Sequence, residues 1–332
     1  MDSKHRLLEL DGLRGLAALA VCLLHFGLFD YGVTGVDLFF MISGFVIYLS
    51  LLNSKSIAQF WWARVVRLYP VYWLSLLIGV LSMLFIAHAT VPHEWRFIAG
   101  NFSMLQPIFK SKLLVDPYWT LYVELTFYAL ISLIWRLKRL KHIENIMIVL
   151  LVVFGAMVVA FKQLYLTSPG YTRFFVIVSG LLPLIYHFQL FAAGIVFYLV
   201  RDSGYTLKRV VILAICLVMV VITHDRGGRV FYYMNAWQHL LCCVVFFGLF
   251  AIIDRGPVSF FRSRVLVFLG AISYALYVIH QSFGRSVYQY LAHTNELLGQ
   301  VVGILLSIGL AYLITYYFDV PLRKYLKKKV RF

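Results

Sequence analysis

Residues 10–25, LDGLRGLAALAVCLLH, form an apolar stretch broken by Asp11, Arg14 and His25. At about 100° per helical residue, the step from Arg14 to His25 returns both side chains to almost the same face. Asp11, Ala18 and Cys22 fall in the same arc. Hydrocarbon penalises such a polar stripe unless it looks into protein or water. The stretch therefore predicts a membrane helix that turns one functional face toward the interior of a bundle, and an all-α fold around it.

The rest of the chain agrees. Of 332 residues, 62% are hydrophobic and 13% charged, and the mean hydropathy is +0.85. An ordinary soluble domain is about half apolar and a quarter charged, so this is a polytopic membrane protein. The four cysteines, Cys22, Cys216, Cys242 and Cys243, sit inside apolar segments and offer neither a disulfide framework nor a CxxC metal site. They read as packed thiols, and no metal is expected. The net charge of +16 could suggest nucleic acid, but the basic residues cluster in loops between apolar segments. Membrane topology explains that pattern better.

Apolar runs near the ~20 residues that a bilayer requires give ten predicted segments: 11–29, 34–52, 69–89, 118–135, 145–161, 174–200, 209–223, 236–253, 265–283 and 298–318. The sixth contains Pro183 and reads as one kinked helix or two short pieces; an odd count would move the C-terminus to the other side. With ten helices, alternate loops and tails hold 21 basic residues, among them Lys4, Arg6 and Arg331, against 8 in the other set, and Arg14 completes the 30. The positive-inside rule then places both termini in the cytoplasm. The first segment carries Arg14 and His25 and lacks a small-residue cleavage pattern, so it is expected to stay in the mature protein. The longest exterior loop, about 90–117, is too short for a catalytic module, and residues 1–332 are expected to form one membrane domain.

At ~1.5 Å rise per residue, His25, Asp37, Glu124 and His280 project to a common layer in the outer half of the membrane. Each could be satisfied separately by a neighbouring backbone, but four at one depth point to a site. On the opposite rim, Arg14 lies about three residues inside its helix. The predicted loop 53–68 ends in Trp61, Trp62, Arg64 and Arg67, ahead of Tyr69, Pro70 and Tyr72. Guanidinium forks pair with phosphate and flat rings stack on bases; the same residues also suit interfacial anchoring, which does not explain Arg14. The glycine pairs Gly12/Gly15 and Gly32/Gly35 read as close-packing devices rather than a phosphate cradle. No nucleotide loop, HExxH or GxSxG pattern is present.

Taken in order, several stretches resemble integral-membrane acyltransferase family three, whose members move acyl groups, commonly acetyl, onto surface sugars. Leu10–Ala20 followed by His25 is similar to its first-helix signature, and Gly35-Val-Asp-Leu-Phe-Phe-Met-Ile-Ser-Gly44 to its second. Arg64-Val-Val-Arg67 resembles its arginine pair, Trp119–Glu124 its fourth-helix glutamate motif, and Ile272–His280 its late-helix motif. The closing Asp319-Val-Pro321 has Asp where Glu is frequent, so no role is placed on it. The matches run from residue 10 to 321, without the esterase-like domain that some relatives append.

The resemblance implies O-acetyl transfer from cytoplasmic acetyl-CoA to a sugar hydroxyl of a cell-surface polysaccharide, such as O-antigen, capsule or another lipid-linked glycan, in a bacterial inner membrane. The expected partners are acyl-CoA, the glycan acceptor and membrane lipids, with no nucleic acid. His25 is the expected catalytic residue, with Glu124 or Asp37 as orienting or acid–base partner; Arg14, Arg64 and Arg67 would bind the CoA phosphates. His280, Ser273 and Tyr277 would shape the pocket. A secondary transporter would also carry intramembrane His, Asp and Glu but usually shows an internal repeat, absent here. A lipid-linked-sugar binding protein would need no catalytic imidazole.

Overall fold

A computed structural model describes residues 7–167, 172–225 and 229–329. Lys4, Arg6 and Arg331 of the basic tally lie outside them. The described residues hold fifteen α-helices and no strand: α1 (Leu8–His25), α2 (Gly35–Leu52), α3 (Ile57–Phe85), α4 (Trp95–Ser103), α5 (Gln106–Phe109), α6 (Trp119–Arg136), α7 (Ile143–Thr167), α8 (Thr172–Leu181), α9 (Phe188–Ser203), α10 (Leu207–Thr223), α11 (Ala236–Arg255), α12 (Arg264–Ile279), α13 (Arg285–Ala292), α14 (Glu296–Leu313) and α15 (Val320–Lys329). Wide π turns at His280–Gly284 and Ile314–Asp319 join α12 to α13 and α14 to α15.

Seven helical stretches among the described residues are long and apolar enough to cross a membrane, and they correspond to seven of the ten predicted segments. The other three differ for separate reasons. Helix α1 is interrupted by Glu9, Asp11 and Arg14. The sixth segment is two pieces, α8 and α9, divided by a 3-10 turn that begins at Pro183, where the ring cannot continue a helix. Helix α10 is a 17-residue rod.

The structure corrects three boundaries. The third helix begins at Ile57, not residue 69, so Arg64 and Arg67 sit on helix rather than loop. Ser56 caps it, accepting from Gln59 N at 3.1 Å, while Gln59 reaches back to Lys55 N at 2.7 Å. The first helix stops at His25, not residue 29, because Gly27 adopts φ +74°. The ninth continues past residue 283 to Ala292. The segment expected as an exterior loop also folds back along α3. Tyr72 Oη donates to Asn101 O at 2.6 Å and Trp73 Nε1 to Phe102 O at 2.9 Å. These rungs lie roughly 18 Å along the helix from Phe85.

The chain divides into two compact units. The first comprises residues 1–35, 54–122 and 259–332. Its centre is a backbone-to-backbone contact between α1 and the region of α12. A Cβ on Gly270 would lie 1.9 Å from Asp11 O, one on Gly15 2.4 Å from Leu266 O, and one on Gly12 2.0 Å from Phe261 O. Only glycine permits that approach, which confirms Gly12 and Gly15 as packing devices. The second unit comprises residues 36–53 and 123–258. Arg209 ties its α10 to Glu144 of α7 at 2.8 Å and to Leu199 O of α9 at 2.8 Å.

Gly270→Ala should therefore destabilise the protein by about 1–3 kcal/mol, the usual cost of overpacking a close contact. Gly309→Ala on α14, where a Cβ meets nothing within 4 Å, should be neutral. Thermal unfolding of the two variants in detergent compares them; equal melting temperatures would refute the contact.

Candidate active site

The α1–α12 contact runs the two helices in the same direction and brings His25 to His280. His25 Nδ1 lies 2.9 Å from Val21 O and 3.1 Å from His280 Nε2. His280 Nδ1 lies 3.1 Å from Leu276 O. The ring centroids are 4.9 Å apart with a 58° tilt. A carbonyl oxygen only accepts, so the two carbonyls assign the protons of the neutral pair. Each imidazole carries its proton on Nδ1. His25 shares that proton between Val21 O and the His280 Nε2 lone pair, while His280 donates to Leu276 O. His280 is buried and His25 only partly so.

His280, expected to shape the pocket, is thus in direct contact with His25. Tyr277 spans from α12 to the turn before α6, its hydroxyl 2.8 Å from Thr120 Oγ1 and 3.2 Å from Pro117 O. Ser273 Oγ donates to Gly270 O at 2.8 Å within its own helix, beside the glycine contact. Past the π turn, α13 contributes Arg285, Ser286, Tyr288 and Gln289 to the lining of an open hollow of about 760 Å³, together with His88 after α3 and His293 at the end of α13.

Both predicted carboxylates belong to the second unit. Glu124 Oε1 accepts from Tyr128 Oη at 2.5 Å and from Ser43 Oγ at 3.0 Å. The second and fourth motifs thus meet through Ser43, while Tyr128 reaches Glu124 from one turn further along α6. Asp37 has an imidazole partner, but it is His239, with Nε2 3.0 Å from Asp37 Oδ2, both buried. His239 lies four residues before Cys243, a buried cysteine outside any disulfide.

The arginines divide. Arg14 pairs with Asp11 one turn back, at 3.5 Å. Arg64 is buried, its guanidinium 5.5 Å from the Phe60 ring centroid. Arg67 lies in the field of Asp319, which also holds Arg323 at 2.6 Å. Asp319, given no role from sequence, is thus the carboxylate of a basic cluster built by α3, the second π turn and α15.

A family model described as an acyltransferase domain matches residues 7–316. The chain belongs to this acyltransferase family. It is 28% identical over 319 residues to the putative acetyltransferase ORF330 of Acidianus two-tailed virus, covering 90% of this chain and 86% of that protein. It is 24% identical over 366 residues to the O-acetyltransferase OatA of Staphylococcus aureus, covering 98% of this chain but 58% of that protein. A third match, the peptidoglycan O-acetyltransferase OatA of Listeria monocytogenes, is 33% identical over 174 residues, 44% of this chain and 27% of the relative. No solved structure matches. The protein is an all-α integral membrane acyltransferase.

If His280 holds His25, then His280→Ala should lower kcat about 10–100-fold, as loss of an orienting partner does. KM should stay near wild type and the pH profile of kcat should shift. An unchanged pH profile would reduce His280 to packing.

Proposed function

We propose that this acyltransferase moves an acetyl group from acetyl-CoA to a sugar hydroxyl of a cell-surface polysaccharide, within the cytoplasmic membrane of a cell. The observation that carries the reading is the His25–His280 pair, in which two imidazoles from α1 and the end of α12 stand 3.1 Å apart, His280 buried and His25 partly exposed, and Nε2 of His25 is assigned as the base. In this reading Nε2 takes the acceptor hydroxyl proton as the sugar oxygen attacks the thioester carbonyl. The tetrahedral intermediate collapses, the carbon–sulfur bond breaks, and the imidazolium returns the proton to the departing CoA sulfur. The OatA relatives, named as an O-acetyltransferase and a peptidoglycan O-acetyltransferase, support oxygen as the acceptor atom. The hollow beside α13, with two tyrosines, an arginine, a serine and one amide, has the chemistry of a carbohydrate site.

Of the carboxylates, Glu124 is assigned to the reaction, as an acid–base or orienting group held by Tyr128 and Ser43. Arg14, Arg64 and Arg67 are assigned to the CoA phosphates. The rise from Arg14 to His25 is about 16 Å, comparable with an extended pantetheine arm of roughly 15–20 Å, so the donor would thread along the stripe on α1.

Purified protein incubated with acetyl-labelled CoA and a panel of glycans should label a sugar hydroxyl, and His25→Ala should reduce that transfer ~10²–10⁴-fold without loss of membrane insertion. Arg67→Lys keeps the charge but not the fork, and should raise the acetyl-CoA KM. Wild-type protein that transfers nothing, or a His25→Ala variant that keeps wild-type activity, would overturn the reading.

Threading also requires both termini to be cytoplasmic. Cysteines placed at the exposed positions Asn53 and Thr294, with the one partly exposed native thiol Cys242 changed to serine, should react with an impermeant maleimide from opposite sides. Asn53→Cys should label only after permeabilisation. Labelling of both from one side would refute the topology and the threaded donor together.

A further inference from the structure

We propose that Asp37, His239 and Cys243 form a binding site for one transition-metal ion, zinc by its donor set, which staples α2 to α11 within the second unit. The carboxylate oxygen, the imidazole nitrogen and the thiol sulfur all lie within 4.8 Å of one another. Zinc bonds of ~2.0–2.3 Å place tetrahedral ligands roughly 3.3–3.8 Å apart. The His239–Asp37 pair already stands at 3.0 Å. Side-chain shifts on the order of 1 Å close the set around an ion.

The site is built, not incidental. His239 and Cys243 are four residues apart on α11 and so share one face of it. The first turn of that helix is fixed by a reciprocal cap in which Asn235 receives Gln238 N and Gln238 reaches Asn235 N at 2.9 Å. The second nitrogen of His239, Nδ1, lies 3.3 Å from His224 Nδ1, an outer partner of the kind that fixes the tautomer of a ligating imidazole.

Charge supplies the driving force. All three donors are buried, and among the described residues the ion-pair partner of Asp37 is an imidazole, not a lysine or arginine. A carboxylate and a thiolate together neutralise a divalent cation, which leaves no net charge in a low-dielectric interior. A proton between His239 and Asp37 also neutralises the carboxylate but gives Cys243 no part. The two cases differ by experiment.

Full-length protein purified in detergent is assayed for metals by mass spectrometry, then stripped and titrated with Co2+. Stoichiometric zinc is expected, and Co2+ should produce a thiolate-to-metal charge-transfer band with the visible bands of a tetrahedral site. Cys243→Ser should abolish the charge-transfer band, and His239→Ala should lose the bound zinc. Cys216→Ser, which removes another buried thiol of the same unit, should retain both and controls for folding. Wild-type protein without zinc and without a thiolate band on addition of Co2+ would overturn the proposal and leave Asp37–His239 as a hydrogen-bonded pair. A band that survives Cys243→Ser would overturn it equally. These readouts are independent of acyl transfer, so they stand or fall apart from the function proposed above.

Discussion

The first unit depends on three glycines that let α1 and α12 touch along their backbones. In a bilayer the hydrophobic effect does not drive one helix onto another, since lipid tails are as apolar as leucine; close van der Waals contact has to supply the attraction. Gly12, Gly15 and Gly270 bring carbonyls and α-carbons within reach where any side chain would hold them apart. Two parallel rods joined near their starts then deliver their far ends together. His25 and His280 each stand ten residues beyond a glycine of that contact, Gly15 and Gly270. The imidazole pair is therefore a product of packing at the other end of the helices.

Much of this was legible in the sequence because its signals are local. The arc shared by Arg14 and His25, the apolar runs and the order of the motifs marked a membrane acyltransferase and singled out His25, Glu124 and His280. Helix ends were less legible. Ser56 and Gln59 form a cap, but the aromatic and basic residues that follow resemble an interfacial loop, so the apolar run begins twelve residues after the helix itself. Partners separated by long stretches of chain could not be read at all. Nothing in one sequence says that Asp37 will meet His239, 202 positions away, or that Ser43 will meet Glu124, 81 away. Depth estimates set His25, Asp37, Glu124 and His280 in one layer, yet depth does not determine azimuth.

The second unit shows how an apolar interior holds ionisable groups at tolerable cost. Glu124 takes two hydroxyl donors, Glu144 takes Arg209, and Asp37 takes an imidazole. An orphaned carboxylate in hydrocarbon would cost several kcal/mol, so each polar group arrives with its partner from another helix. Those pairings also fix register, because a hydrogen bond between helices tolerates little sliding or rotation.

The π turn at His280–Gly284 makes length itself a constraint. A wide turn holds one residue more than an ordinary one, and that extra residue re-aims everything downstream by about 100°. Up to Ile279 the rod buries ten of its sixteen residues; beyond Gly284 it buries none and turns its polar side chains to the hollow. Removing a single residue from this segment would restore a regular helix and keep nearly all of the chemistry, yet it would swing the wall of the hollow out of line with His280. Relatives that share the late-helix motif are therefore expected to conserve the number of residues between that histidine and the polar helix more strictly than their identity.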